Sequence, residues 1–146
     1  MISLRKIDRS NWEECIHLRV REEQERFMAS NLYSIAEVQF LPGFMTRAII
    51  LDDKVIGFLM YGIDPDDQNY WIYRFMIDDQ FQGKGYGRAA MNLLIQQIEA
   101  ADNRTEVIMI GYNSDNEGAR RLYKSVGFEE IGLAPWGEEL ARYTYK

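Results

Sequence analysis

The chain has 146 residues, about 47% hydrophobic and 27% charged, with 17 basic against 23 acidic side chains and a formal net charge of −6. That size and mix fit one domain over residues 1–146, large enough to bury a core without a metal or disulfide staple. The acidic surplus argues against a general nucleic-acid or membrane-surface binder, because phosphate polyanions demand a basic footprint.

The single cysteine, Cys15, has no partner for an internal disulfide, and the single histidine, His17, disfavours a His-rich metal site. No apolar run reaches the length of a membrane span, and the first residues lack the apolar core of a signal peptide. The expected setting is the cytoplasm, with no metal, no nucleic-acid partner and no membrane.

Ile2 to Ile7 alternates weakly and reads as a first strand. Ser10 and Glu13 have capping-box spacing, and Trp12, Ile16 and Val20 recur at i+4, so a first helix is expected to bury that face. Residues 21–39 read as an interrupted or second helix ending before Pro42-Gly43. The acidic run containing Glu22 and Glu23 is either a solvated face or a rim that attracts a cationic substrate. Phe44 to Leu51 and Lys54 to Gly62 form a hairpin around Asp52-Asp53. Asp64-Pro65-Asp66-Asp67 makes the next turn, and Tyr70 to Ile77 is the fourth strand.

Gln82-Gly83-Lys84-Gly85-Tyr86-Gly87 then leads into a helix reaching about Ala101. Alternating glycines let successive backbone N–H groups converge, and the new helix aims its positive end at the same point. The combination can hold a phosphate or pyrophosphate inside an acidic protein, with Lys84 and Arg88 adding local charge. It lacks the Gly-Lys-Ser/Thr ending of a Walker A loop and the spacing of a dinucleotide fingerprint. A tight turn with close helix–strand packing is the structural alternative.

Val107 to Ile110 reads as a strand. Ser114 and Glu117, or Asn116 alone, are candidate caps for a helix carrying Ala119, Leu122, Tyr123 and Val126 and ended by Gly127. Phe128 to Leu133 and Leu140 to Tyr145 are the last strands. The alternation of elements predicts a mixed α/β or α+β domain.

Two segments carry a family resemblance. Gln82, Gly85 and Gly87 match R/Q-x-x-G-x-G/A, and Asn116, Ala119, Leu122, Tyr123, Gly127 and Phe128 match N-x-x-A-x-x-L-Y-x-x-x-G-F. In this order the chain resembles the GNAT N-acetyltransferase superfamily over almost its whole length. In size and layout it looks like the bacterial diamine and polyamine acetyltransferases.

The resemblance implies a twisted, mostly antiparallel sheet splayed between the fourth and fifth strands and flanked by helices. It also implies acetyl-CoA as co-substrate. The pantetheine arm would run along Phe75, Met76 and Ile77, with a backbone N–H of Phe75 or Met76 facing the thioester oxygen. Gln82, Gly83, Lys84, Gly85, Tyr86, Gly87 and Arg88 would cradle the pyrophosphate, and Asn116 would contact the CoA arm or cap its helix. Tyr123 would protonate the leaving thiolate, although helical spacing alone would make it a core residue.

The acceptor amine must lose a proton before attack. Polyamine-acetylating relatives use a glutamate on the fourth strand, and Tyr73 stands near that position here. The proton would then pass through water to Glu22, Glu23, Glu37, Asp64, Asp66, Asp67 or solvent. Tyr33, Trp71 and Tyr73 would line the acceptor end, where aromatic faces suit an ammonium.

The expected reaction is acetyl transfer within a ternary complex to a diamine or polyamine such as spermidine or spermine. Protein N-terminal or lysine amines, other small amines including aminoglycosides, and a non-catalytic acyl-CoA sensor are the alternatives. Many relatives are dimers. Trp136 and the C-terminal aromatic strand are compatible with a homodimer, and equally with a core role.

Overall fold

A single sheet carries the architecture. The computed structural model describes residues 1–145. Its strands are β1 (Ile2–Lys6), β2 (Phe44–Leu51), β3 (Lys54–Ile63), β4 (Tyr70–Ile77), β5 (Val107–Tyr112), β6 (Glu129–Leu133) and β7 (Glu139–Thr144), in the spatial order β1-β2-β3-β4-β5-β7-β6. Only β4 and β5 pair in parallel; every other neighbour is antiparallel. Four helices cover the sheet: α1 (Trp12–His17), α2 (Asn31–Val38), α3 (Tyr86–Glu99) and α4 (Glu117–Val126).

Strand periodicity divides the core in two. Ile49, Leu59, Ile72 and Ile77 point to the face covered by α3 and α4, where Met91, Leu94, Ile98, Tyr123 and Val126 meet them. Ala48, Ile50, Phe58 and Met60 point to the opposite face, against Cys15 of α1 and Ile35 and Val38 of α2. No helix among the described residues is long and apolar enough to cross a membrane.

Two features of β4 create the site. Its ladder with β5 spans only Tyr70↔Ile108, Trp71↔Met109 and Ile72↔Ile110, after which the strands part, as the splayed sheet requires. At that place β4 carries a bulge: Met60 pairs with Arg74 and Tyr61 with Ile72, leaving Tyr73 as the extra residue. A bulge reverses the side-chain alternation beyond it. Accordingly Ile72, Phe75 and Ile77 pack with the α3/α4 core, whereas Tyr73 and Met76 pack with the α1/α2 core.

The N-terminal region departs from the sequence reading. Asn11, not Ser10, precedes α1. Its side chain accepts the Asp8 N–H and donates to the Lys6 carbonyl, while the Ser10 hydroxyl is turned back onto Asp8. The helix is six residues long, and it is Cys15 that is buried rather than the Trp12 face. Residues 21–39 resolve into a 3₁₀ turn over Glu22–Phe27 and α2, which Ser30 caps by accepting the Tyr33 N–H. Asn116 rather than Ser114 caps α4, and Gly127 ends it at φ +113°, in the left-handed region.

Candidate active site

The glycine loop is held from both sides. Asp78 accepts N–H bonds from Arg19 and Gln80, which fixes a 3₁₀ turn over Asp79–Phe81. Gln82 then donates from Nε2 to the Ile77 carbonyl and to Gln24 Oε1, each at 2.9 Å, tying the loop to β4 and to the 22–27 turn. Gly83 and Gly85 adopt φ +76° and +85°, with nothing within 4 Å of where a Cβ would stand. Gly85 is also the N-cap of α3, and no side chain caps that helix. The first-turn N–H groups therefore lack an internal acceptor and face the loop as anion donors.

This loop borders a cleft of about 470 Å³ between β4 and α4. Gly83, Gly85, Gly87, Arg21, Arg88 and Arg121 line it, together with Phe75, Met76 and Ile77, and no carboxylate does. Converging amides, three guanidiniums and two glycines with no protein atom crowding their Cα atoms fit a pyrophosphate group. Lys84 and Tyr86 lie off this lining. Lys84 is exposed, with Nζ 3.4 Å from the Gln80 carbonyl, and Tyr86 packs beside Phe81 at 6.4 Å.

A second cleft, of about 620 Å³, lies on the other side of the splay. Asp64, Asp66, Asp67 and Glu138 line it with Trp71, Tyr73 and Trp136. The turn between β3 and β4 presents the aspartates: Asp64 accepts the Asp66 N–H, and Asp67 accepts the Trp71 indole N–H at 2.9 and 3.0 Å. Tyr73 donates its hydroxyl to Asp64. Burial first, then that bond and the charges of Asp64, Asp66 and Asp67, raise the Tyr73 phenol well above its ordinary range. Tyr73 thus stays protonated, and as a base it can act only in concert with the carboxylate behind it.

One cation lines this cleft, Arg74, and its charge is already answered by Glu37 at 2.9 Å. Glu37 is thereby a partner of the bulge and lines neither cleft. Glu22, Glu23 and Tyr33 also line neither: the two glutamates are exposed on the 3₁₀ turn, and Tyr33 is 58% exposed on the outer side of α2.

The two clefts share Phe27, Met28, Phe75, Asn116 and Tyr123. Asn116 spends Oδ1 on the Ala119 N–H at 3.1 Å, which leaves its Nδ2 donors as the group able to meet a ligand. Tyr123 is 8% exposed, packed edge-on to Tyr112 at 5.6 Å and against Phe128 at 5.9 Å. Burial, with smaller contributions from Tyr112 and Glu138, holds its phenol protonated far above the usual tyrosine range.

Sequence reasoning missed Arg21, Arg121, Trp136 and Glu138 as lining residues. Arg121 stands directly before the Leu122-Tyr123 pair, a signal that was available. Trp136 and Glu138 come from the β6–β7 connection, and no local pattern links them to β4. Among the described residues no group of three or more His, Cys, Asp or Glu side chains is arranged to hold a metal ion.

Comparison with known proteins agrees with this architecture. Residues 4–128 match the Acetyltransferase (GNAT) family. The chain is 27% identical over 137 residues to the spermine/spermidine N(1)-acetyltransferase of Bacillus subtilis (strain 168), covering 90% of both chains. It shares its fold with aminoglycoside acetyltransferase AAC(6')-Ib in complex with coenzyme A and kanamycin, at a TM-score of 0.82 and 17% identity over 99% of this chain and 95% of that one. It also shares it with spermidine N-acetyltransferase from Vibrio cholerae in complex with CoA and spermine, at a TM-score of 0.73 and 18% identity over 97% and 92%. With a glycine cradle, a splayed sheet and a family match running from β1 to the end of α4, the chain belongs to the acetyltransferase (GNAT) family.

Proposed function

We propose that the chain transfers the acetyl group of acetyl-CoA to a primary amine of a small polycation, a diamine or polyamine such as spermidine or spermine, by direct attack in a ternary complex. The observation that carries this reading is the opposite polarity of two clefts that meet at Tyr123. One is lined by three arginines and no carboxylate, with Arg21 alone of the three ion-paired among the described residues, to Asp79 at 3.7 Å, and the other by four carboxylates whose sole cation is already paired. An anionic donor and a cationic acceptor would each be drawn to its own side, with the reacting groups facing one another at the junction. The curated Bacillus subtilis relative acts on spermine and spermidine by its name, which supports the same acceptor class.

Each chemical requirement has a candidate residue. The glycine loop and Arg88 and Arg121 hold the CoA phosphates, and Asn116 Nδ2 meets the CoA arm. The backbone N–H of Phe75, which lines both clefts, is the choice over Met76 for polarising the thioester oxygen. Tyr73 takes a proton from the acceptor ammonium on its phenol oxygen while its own proton passes to Asp64. The amine is thereby freed for attack, and Asp64 becomes a neutral acid. Tyr123, kept protonated by burial, donates to the departing CoA sulfur as the C–S bond breaks, and the second proton shed by the newly acylated nitrogen returns to the Tyr123 phenolate.

A thiol-release assay across polyamines, aminoglycosides, amino acids and peptide amines tests the proposal. Spermidine or spermine should give a kcat/KM at least about tenfold above any peptide amine. Best turnover with a peptide N-terminus, a lysine side chain or an aminoglycoside would replace the acceptor. Tight acetyl-CoA binding with no thiol release across the panel would replace the enzyme by a sensor.

A further inference from the structure

The acceptor cleft holds two tryptophans treated alike by the fold. Trp71 on β4 donates its indole N–H to both carboxylate oxygens of Asp67. Trp136, on the β6–β7 connection, donates its own to Glu138 at 2.7 Å. The ring centroids are 6.4 Å apart with planes inclined at 48°, so the rings are tilted rather than stacked on each other. Both line the cleft, yet Trp136 remains 62% exposed, which is unusual for so large an apolar side chain. Glu138 is braced in turn against the main chain of β5, since a Cβ at Gly111 would lie 3.0 Å from its Oε1.

Two open indole faces at that spacing leave room for a cation within about 6 Å of both centroids, the range over which a ring quadrupole attracts a charge. Donating each N–H to an anion draws electron density toward the ring, which strengthens that attraction. The carboxylates also supply net negative charge beside the rings. Tyr73, where the reacting nitrogen is expected, lies one ring farther along, 6.4 Å from Trp71. An acceptor with a single amine would leave the tryptophan pair empty.

We propose that Trp71 and Trp136, with Asp67 and Glu138 at their edges, form a subsite for the second ammonium of the acceptor and so select diamines and polyamines over monoamines. The proposal rests on the amine-acetyltransferase reading for its place in catalysis, but the subsite itself can be read by binding alone. Trp136 matters most, because it is the more exposed of the two rings and is held through Glu138 and the neighbouring indole. Glu138→Gln keeps an acceptor for the indole N–H and removes only the charge.

The test uses the Trp12→Phe chain, which leaves the two cleft tryptophans as the only indoles. Butane-1,4-diamine and spermidine should change indole fluorescence saturably, and butylamine should do so only at much higher concentration. Trp136→Leu should weaken diamine binding and raise the KM for spermidine by about tenfold, with the KM for butylamine unchanged. Trp136→Phe, which keeps an aromatic face, should recover part of the loss, and Glu138→Gln should lie between. Far-UV circular dichroism checks that each variant folds. Equal diamine affinity in wild type and Trp136→Leu overturns the subsite even if spermidine is a good substrate. Diamine binding that depends on Trp136 in a chain that acetylates no polyamine upholds the subsite and overturns the acceptor assignment.

Discussion

The cleft proposed for the donor and the cleft proposed for the acceptor are built by different means. The donor half is made largely of backbone: the Gly83 and Gly85 amides, the start of α3, and the edge of β4 freed by the splay. Most of its parts lie in short stretches around residues 75–77, 82–88 and 116–123, joined by Arg21 and its neighbours from the 3₁₀ turn. The acceptor half is made of side chains from the turn after β3, the bulge in β4 and the β6–β7 connection. A site read by main-chain N–H groups demands glycines at fixed spacing, whereas a site read by carboxylates and rings can be assembled from any elements that meet. The first kind survives as a motif. The second is under no such constraint, and solved structures of the same fold hold kanamycin in one case and spermine in another.

Replacing Tyr123 by Phe should break the link between the halves with the largest effect. Turnover should fall by about 10²–10⁴-fold while CoA affinity, measured by calorimetry, stays the same. Because burial raises the Tyr123 phenol, its protonated form persists through pH 10, so wild-type kcat should show no alkaline decline below that pH from this group. Equal loss of CoA affinity would instead make Tyr123 a packing residue.

Asp64→Asn tests the acceptor half alone. It should lower kcat/KM for the acceptor at pH 7 by about 10–100-fold and leave CoA affinity unaltered. Activity should recover as pH rises toward the acceptor's own pKa of about 10, where solvent has already removed the proton. A pH-independent loss would assign Asp64 to binding rather than to proton transfer.

Gly85→Val tests the donor half alone. A left-handed φ of +85° costs a non-glycine residue roughly 1–2 kcal/mol, and more when branched, and the added side chain would occupy the cradle. The KM for acetyl-CoA should rise about tenfold, with the ranking of acceptors unchanged. A changed ranking would mean that the two halves are less separate than their chemistries imply.

Much of the fold was legible. β4 was read from Tyr70 to Ile77, the β2–β3 hairpin turned at Asp52-Asp53, and Gly127 marked the end of α4, while its start was left open between Ser114 and Asn116. Each of these signals is local: strand alternation, a two-residue turn, a cap. The misreadings came where local signals compete. Ser10 and Glu13 have the spacing of a capping box, but Asp8 offers Ser10 a nearer acceptor and Asn11 can bind the chain on both sides. In α1 the i+4 series through Trp12 correctly signalled a helix, but Cys15 rather than Trp12 is its fully buried side chain.

The sequence by itself marked the glycine loop proposed for the donor, because pyrophosphate recognition by amides requires particular residues at intervals that lie within one loop, but it did not mark Arg21 or Arg121 of the same cleft. Asp64, Asp66, Asp67, Trp71 and Tyr73 were legible as acceptor-side candidates, but tertiary structure decided which other residues join them. Nothing in the chain before folding tells that Glu22, Glu23 and Tyr33 turn outward, that Glu37 is consumed by Arg74, or that Glu138 crosses the sheet to share a cleft with Asp64. Those outcomes depend on the bulge at Tyr73 and on the parting of β4 from β5, both of which are settled by pairings between strands distant in sequence. The acidic surplus that first argued against phosphate partners was thus a property of the whole chain, while the folded molecule sorts its charges into one basic and one acidic cleft.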